Sequence, residues 1–104
     1  MAHKGLDLRL RPAAETDLEA IWTYSERRWG VAQAERYLGD VFSSFERLCL
    51  FPELAAERSE FTPPVRIHPS GRHVIVYRIE GETLEVIRVL GAQQDWMRAL
   101  AALD

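Results

Sequence analysis

Two windows of helical apolar spacing stand almost end to end in this chain, and that adjacency limits the folds open to it. Ala14, Leu18, Ile21, Trp22 and Ser25 recur at the intervals of one helix face. Ala34, Tyr37, Leu38, Val41, Phe45 and Leu48 form the stripe of a second helix, over about Ala32 to Leu50. Between the windows stands little more than Trp29-Gly30, with the glycine free to end a helix in a left-handed conformation. So short a link lays the helices antiparallel and side by side, each with an apolar face still to cover. Pro12 suits the first turn of the first helix, where its missing N–H leaves nothing unpaired. Glu15, Asp17 and Glu19 complement the positive end of that helix. Phe51-Pro52 ends the second.

The flanking segments supply the cover. Leu6-Asp7-Leu8-Arg9-Leu10 alternates apolar and polar, the pattern of a half-buried strand. Residues 52 to 64 read as an ordered loop with a turn of helix around Glu53 to Arg58. Val65 to His68, Arg72 to Ile79 and Thr83 to Leu90 read as strands joined by turns at Pro69-Ser70-Gly71 and Glu80-Gly81-Glu82. Gly91 breaks the last strand, and Gln93 to Leu103 can form a short helix. The fold expected is α+β: an N-terminal strand, a helical hairpin, then a three-stranded antiparallel meander with a short C-terminal helix. Leu6, Leu8, Leu10, Leu38, Phe45 and Trp22 are expected in its core.

A chain of 104 residues can bury roughly two-thirds of its unfolded surface, so residues 1–104 are expected to form one domain. No apolar run approaches the ~20 residues needed to span a bilayer, and Met1 to Leu10 lacks the pattern of a secretory signal. The lone cysteine, Cys49, lies among Phe45, Leu48 and Leu50 and reads as a structural thiol in a reducing compartment, so a cytoplasmic location is expected. A net charge of −3 opposes sequence-independent binding of nucleic acid, which needs a basic field.

A search for catalytic chemistry yields little. The glycines are scattered, so no phosphate loop is present. His68 and His73 flank a turn without an evident third ligand, so no metal site is expected. Ser25, Ser43 and Ser44 lie on the helices with no nucleophile elbow around them, and most carboxylates read as solvated helix surface. Arg66, His68, Arg72, His73, Tyr77 and Arg88 remain, on the strands. A metal-free ribonuclease uses such groups as acid, base and phosphate clamp. The competing reading is preferred: Tyr77 fills core, while the arginines and histidines face solvent or pair with Glu80, Glu82 and Glu85. Trp29 and Trp96, at a helix end and in the tail, are candidates for partly exposed interface anchors.

Several segments taken together resemble ParE-type toxins of the RelE/ParE superfamily. They are Leu10-Arg11-Pro12-Ala13-Ala14 with Asp17-Leu18 and Ile21-Trp22-Thr23-Tyr24, and Trp29-Gly30 with Gln33-Ala34-Glu35-Arg36-Tyr37. His73-Val74-Ile75-Val76-Tyr77-Arg78 and Val86-Ile87-Arg88-Val89-Leu90 with Asp95 complete the series, which runs in order over about Leu6 to Leu100. The resemblance implies a toxin held inactive by a ParD-like antitoxin and directed at DNA gyrase, blocking replication. RelE relatives instead cut mRNA on the ribosome with lysine, arginine and a late tyrosine or histidine. This chain departs from that pattern: its second helix carries only Arg36 and Arg47, its tail has neither tyrosine nor histidine, and Gly91 stands where a histidine often follows the last strand.

On this resemblance the target surface is expected on the last strand and tail, at Arg88, Gln94, Asp95, Trp96 and Arg98. The antitoxin is expected at Trp29, Tyr37, Arg66 and Arg78, in a hetero-oligomer. No catalytic residue and no cofactor are expected, nor nucleic acid binding by the toxin alone. The alternative is a ribosome-dependent mRNA endonuclease of RelE type.

Overall fold

The computed structural model describes residues 5–101. The elements run β1 (Asp7–Leu10), α1 (Pro12–Trp29), α2 (Val31–Leu50), β2 (Glu57–Arg58), β3 (Val65–Ser70), β4 (His73–Glu80), β5 (Thr83–Gly91) and α3 (Trp96–Ala101). The strands form a five-stranded sheet in the order β1-β5-β4-β3-β2. Strands β2 to β5 pair antiparallel in sequence, and β1 joins β5 in parallel. This is the expected α+β architecture, with the expected N-terminal strand placed parallel at the sheet edge and one addition, the short β2.

The helix junction is a single residue. Gly30 adopts φ 92°, a conformation that a side chain would strain. Its N–H donates to the Glu26 carbonyl at 2.9 Å, ending α1, while its own carbonyl accepts from Ala34 at 3.1 Å in the first turn of α2. The hairpin covers one sheet face. Ala14, Leu18 and Ile21 of α1 and Val41, Phe45 and Leu48 of α2 pack on Ile75, Tyr77, Leu84, Val86 and Val89. Each fully buried side chain of leucine or phenylalanine size contributes about 1.5–3 kcal/mol of transfer free energy. Phe45 and Leu48, with no exposed surface, are the main ties between helix and sheet.

The opposite face is also covered. Val65, Val74, Val76, Ile87 and Leu90 join Phe61 in a second cluster, capped by Trp96, Ala99 and Leu100 of α3. A bulge divides β5 between the faces. Val76 lies opposite Arg88 and Tyr77 opposite Val86, which leaves Ile87 as the extra residue. Beyond it the alternation shifts by one, so Val89 joins the helix-side core and Leu90 the second cluster.

Four expectations need correcting. Glu57–Arg58 pair with Val65–Arg66 as a strand rather than closing a helical turn, because folding back onto β3 satisfies the backbone along an otherwise open edge. β3 continues through Pro69 and Ser70, and the turn shrinks to Gly71-Arg72. Pairing with β2 stops at Val65–Arg66, so Pro69 lies beside a bare edge, where a missing donor is tolerated. Leu8 is 40 % exposed, although Leu6 and Leu10 pack on the core. Strand β1 is outermost and offers Leu8 a strand neighbour on one side only. Trp22 is half-buried rather than enclosed, as is Leu38. The tail helix begins at Trp96, capped by the Asp95 carboxylate, which accepts from the Arg98 N–H at 3.2 Å. Its expected continuation to Leu103 lies outside the described residues. Among the described residues no helix is long and apolar enough to cross a membrane.

Candidate functional site: a cleft at the helix junction

Where α1 hands over to α2, the end of the hairpin meets the β3–β4 turn. Tyr24, Ser25, Trp29, Gln33, Tyr37, Arg72 and His73 line a cleft of about 570 Å³ there. Tyr24 and Trp29 lie off the buried stripe of α1 and pack edge to face, with ring centroids 5.8 Å apart. Trp29 is 47 % exposed. The guanidinium groups of Arg28 and Arg72 each lie 5.7 Å from its ring centre, within cation–π range.

Tyr37 fixes the floor. Its hydroxyl shares a hydrogen bond with Nδ1 of His73 at 2.6 Å, accepts from the backbone N–H of Arg72 at 3.0 Å and lies 3.4 Å from the Ser70 carbonyl. The ring abuts Gly71, where a Cβ would come within 2.8 Å of it. Burial pushes the Tyr37 hydroxyl up from its ordinary pKa, against the lowering pull of Arg72. Burial holds His73 below the ordinary histidine range, outweighing the opposite pull of Asp17. A neutral imidazole and a protonated phenol are therefore the matched pair.

The other candidate side chains are engaged elsewhere. Tyr77 is fully buried, and its hydroxyl donates to the Pro52 carbonyl at 2.8 Å. Arg66 donates to the Ala55 carbonyl at 2.6 Å. Arg88 makes two bonds to the Asp17 carboxylate, at 2.7 and 2.8 Å. Arg78 bonds Glu80 at 2.8 Å and lies beside Glu85. Glu85 is almost wholly buried; burial alone would raise its pKa, but the bonds from Arg11 and Arg9 hold it below the usual carboxylate range. His68, lowered by burial and by Arg47, stands apart from the cleft on β3. Burial raises the Cys49 thiol, as suits a structural cysteine. Ser44 bonds Ser70 at 3.1 Å. Among the described residues no group of three His, Cys, Asp or Glu side chains is placed to hold a metal ion.

The residues expected to meet an antitoxin thus divide into two places. Trp29 and Tyr37 share the junction cleft, while Arg66 and Arg78 line a smaller one of about 270 Å³ with Pro63 and Pro64. The residues expected to meet a target hold the β5–α3 turn together. Gln94 accepts from the Gly91 N–H at 3.3 Å, the Trp96 indole donates to the Gly91 carbonyl at 3.2 Å, and Asp95 caps α3. Arg98 and Met97 face outward from this helix. Tyr24 and Gln33 line the junction cleft and Arg28 lies against its Trp29 ring from the adjoining surface; none of the three was expected there. Their signal was present: an aromatic pair and two arginines displaced from the apolar stripe just before Gly30.

The sheet order, the hairpin on one face and the short helix on the other define a RelE/ParE-like α+β fold. A chain described as "Chromosomal ParDE TA system from P. aeruginosa" shares it, with a TM-score of 0.74 over 85 % of this chain and 97 % of that one, at 20 % identity. Residues 8–96 match the family model "ParE toxin of type II toxin-antitoxin system, parDE". The chain is 39 % identical to "Toxin ParE1" of Mycobacterium tuberculosis, over 88 % of this chain and 94 % of that protein. It is 40 % identical to "Toxin ParE1" of Caulobacter vibrioides, over 79 % and 84 %, and 32 % identical to "Toxin ParE" of Escherichia coli, over 88 % and 90 %. The chain belongs to the ParE toxin family of type II toxin–antitoxin systems.

Proposed function

We propose that this chain is a cytoplasmic, one-domain toxin that acts by binding rather than by chemistry, with DNA gyrase as its target and a ParD-like antitoxin as its neutralising partner. Beyond family membership, one observation carries the preference for binding. Four of the six groups a metal-free ribonuclease could use are already committed to the fold: Tyr77 to Pro52, Arg66 to Ala55, Arg88 to Asp17 and His73 to Tyr37. An acid or base must instead reach the reacting atoms. A poison that stabilises one state of a topoisomerase cycle needs only a higher affinity for that state.

In this reading the antitoxin covers the junction cleft around Trp29 and Tyr37 and the arginines Arg66 and Arg78. The target meets the tail at Gln94, Asp95, Trp96 and Arg98, with Arg88 beneath holding the strand in place. The test pairs a gyrase supercoiling and cleavage assay with a cell-free translation assay, using purified toxin. Inhibited supercoiling with intact mRNA is expected, relieved by adding a cognate ParD-like antitoxin. Codon-specific mRNA cutting by toxin that leaves gyrase untouched would overturn the reading in favour of a RelE-type nuclease.

A further inference from the structure

We propose that the junction cleft is a receptor for a carboxylate carried on an acidic segment of a protein partner, and that Arg72 is the residue that reads it. The proposal rests on the reading that this face meets the antitoxin, and it specifies the chemistry of that contact.

Three observations converge. The first is charge. The junction cleft adjoins a broader depression along α1 lined by Ala20, Thr23, Tyr24, Arg27, Arg28 and Trp29. No aspartate or glutamate lines either. Among the described residues Arg27, Arg28 and Arg72 form no ion pair, which is true also of Arg36, Arg47, Arg66 and Arg98; what sets the three apart is that they gather around one aromatic, acid-free cleft. A chain of net charge −3 therefore keeps a local cationic face beside its most exposed tryptophan.

The second is preorganisation. The Arg72 backbone is pinned on both sides, its N–H by the Tyr37 hydroxyl and its carbonyl by the Ala92 N–H at 2.9 Å. Its guanidinium rests near the Trp29 ring. Cation–π attraction uses none of the guanidinium's N–H donors, so the fork that matches a carboxylate with two parallel bonds remains available. Little side-chain freedom is then left to lose on binding.

The third is scale. Three arginines around one aromatic cleft cannot track a nucleic acid backbone, and the acidic remainder of the molecule repels a polyanion. They suit a single carboxylate whose apolar neighbour packs against Tyr24 and Trp29.

The test is fluorescence anisotropy on the full chain with three labelled probes: a twelve-residue peptide of alternating glutamate and leucine, its glutamine-for-glutamate analogue, and a ten-nucleotide oligothymidine. The acidic peptide is expected to bind, and the glutamine analogue and the oligonucleotide to bind at least tenfold more weakly. R72A and W29A are expected to weaken the acidic peptide at least tenfold. R72K, which keeps the charge but not the fork, is expected to fall between R72A and the wild type. Thermal melting checks that each variant is folded, since both side chains are exposed. Equal affinity for the two peptides, undiminished binding by R72A, no binding of the acidic peptide, or preference for the oligonucleotide would each overturn the proposal. Whether the chain poisons gyrase is read in a separate assay, so failure there leaves this result interpretable.

Discussion

Asp17 on α1 and Arg88 on β5 are joined by two hydrogen bonds, at 2.7 and 2.8 Å, and the same carboxylate accepts the backbone N–H of Val89 at 2.9 Å. The position explains the arrangement. Strand β1 pairs with β5 only as far as Val86, where the Arg11 N–H makes a closing bond to the Val86 carbonyl. Beyond that point the edge of β5 is bare, and Asp17 supplies the acceptor that a longer β1 would have offered. The guanidinium then neutralises the carboxylate that this capping brings in, and the bond to Asp17 holds Arg88 even more firmly cationic than usual, outweighing the cost of burial.

Arg88→Ala and Asp17→Ala should each lower stability by about 1.5–3 kcal/mol, the range for a lost hydrogen bond to a charged group. Chemical denaturation checks it, and a double-mutant cycle should show coupling between the two. Asp17→Ala should be the worse, because it also strips the Val89 N–H. Loss of toxicity in Arg88→Ala is then expected to follow loss of fold. An Arg88→Ala protein with wild-type stability would contradict this account of the clamp.

Phe45 has no exposed surface and stands among Leu48, Ile75 and Tyr77 in the helix-side core. Phe45→Ala should cost about 3–5 kcal/mol, and Phe45→Asp, which buries an unpaired charge, should abolish cooperative folding. Leu38→Asp should be milder, because Leu38 is only partly buried. Far-ultraviolet circular dichroism during heating distinguishes the three, and a cooperative Phe45→Asp transition would refute the core.

Burial keeps the His73 imidazole below its ordinary pKa, and burial with Arg47 does the same for His68. The unfolded chain takes up these protons first, as pH falls through about 6.5. Their contribution to stability is therefore complete above that value and declines below it, toward the depressed folded values. Glu85, held lower than an ordinary carboxylate, stays charged across the same window. Melting temperature should drop between about pH 7 and pH 5.5, and the drop should shrink in a His68→Gln, His73→Gln double variant. An unchanged slope in that variant would assign the pH dependence to other groups.

Met97 is 54 % exposed on α3, and Arg98 also faces solvent. If the tail meets the target, Arg98→Glu and Met97→Ala should abolish or strongly reduce growth inhibition without lowering thermal stability. Trp96→Ala is a poorer probe, since Trp96 also packs on the second core. His68→Ala, His73→Ala and Tyr77→Phe should remain toxic. A nuclease would behave oppositely, because losing a general acid or base costs about a hundred- to ten-thousand-fold in rate. Growth curves with melting curves for the same variants separate the outcomes.

Much of the architecture was legible in local pattern. Pro12 and Gly30 mark the bounds of α1, the apolar stripe of α2 predicts its buried face, and the alternation in 73–80 and 83–90 identifies the central strands. These features depend on conformational preference and periodicity, which each segment carries alone. The tertiary structure decided what depends on partners. The bulge at Ile87 sends Val89 and Leu90 to opposite faces, Glu57–Arg58 become a strand only because β3 lies within reach, and Leu8 is exposed because β1 falls at the sheet edge. The candidate site shows the same division. Trp29 and Tyr37 were expected on the antitoxin surface from the resemblance, but only the fold brings Arg72 across to the Trp29 ring and sets Arg88 against Asp17, 71 residues away along the chain. Such pairings form between segments that have no local interaction, and their register is chosen by the packing of the whole sheet and hairpin.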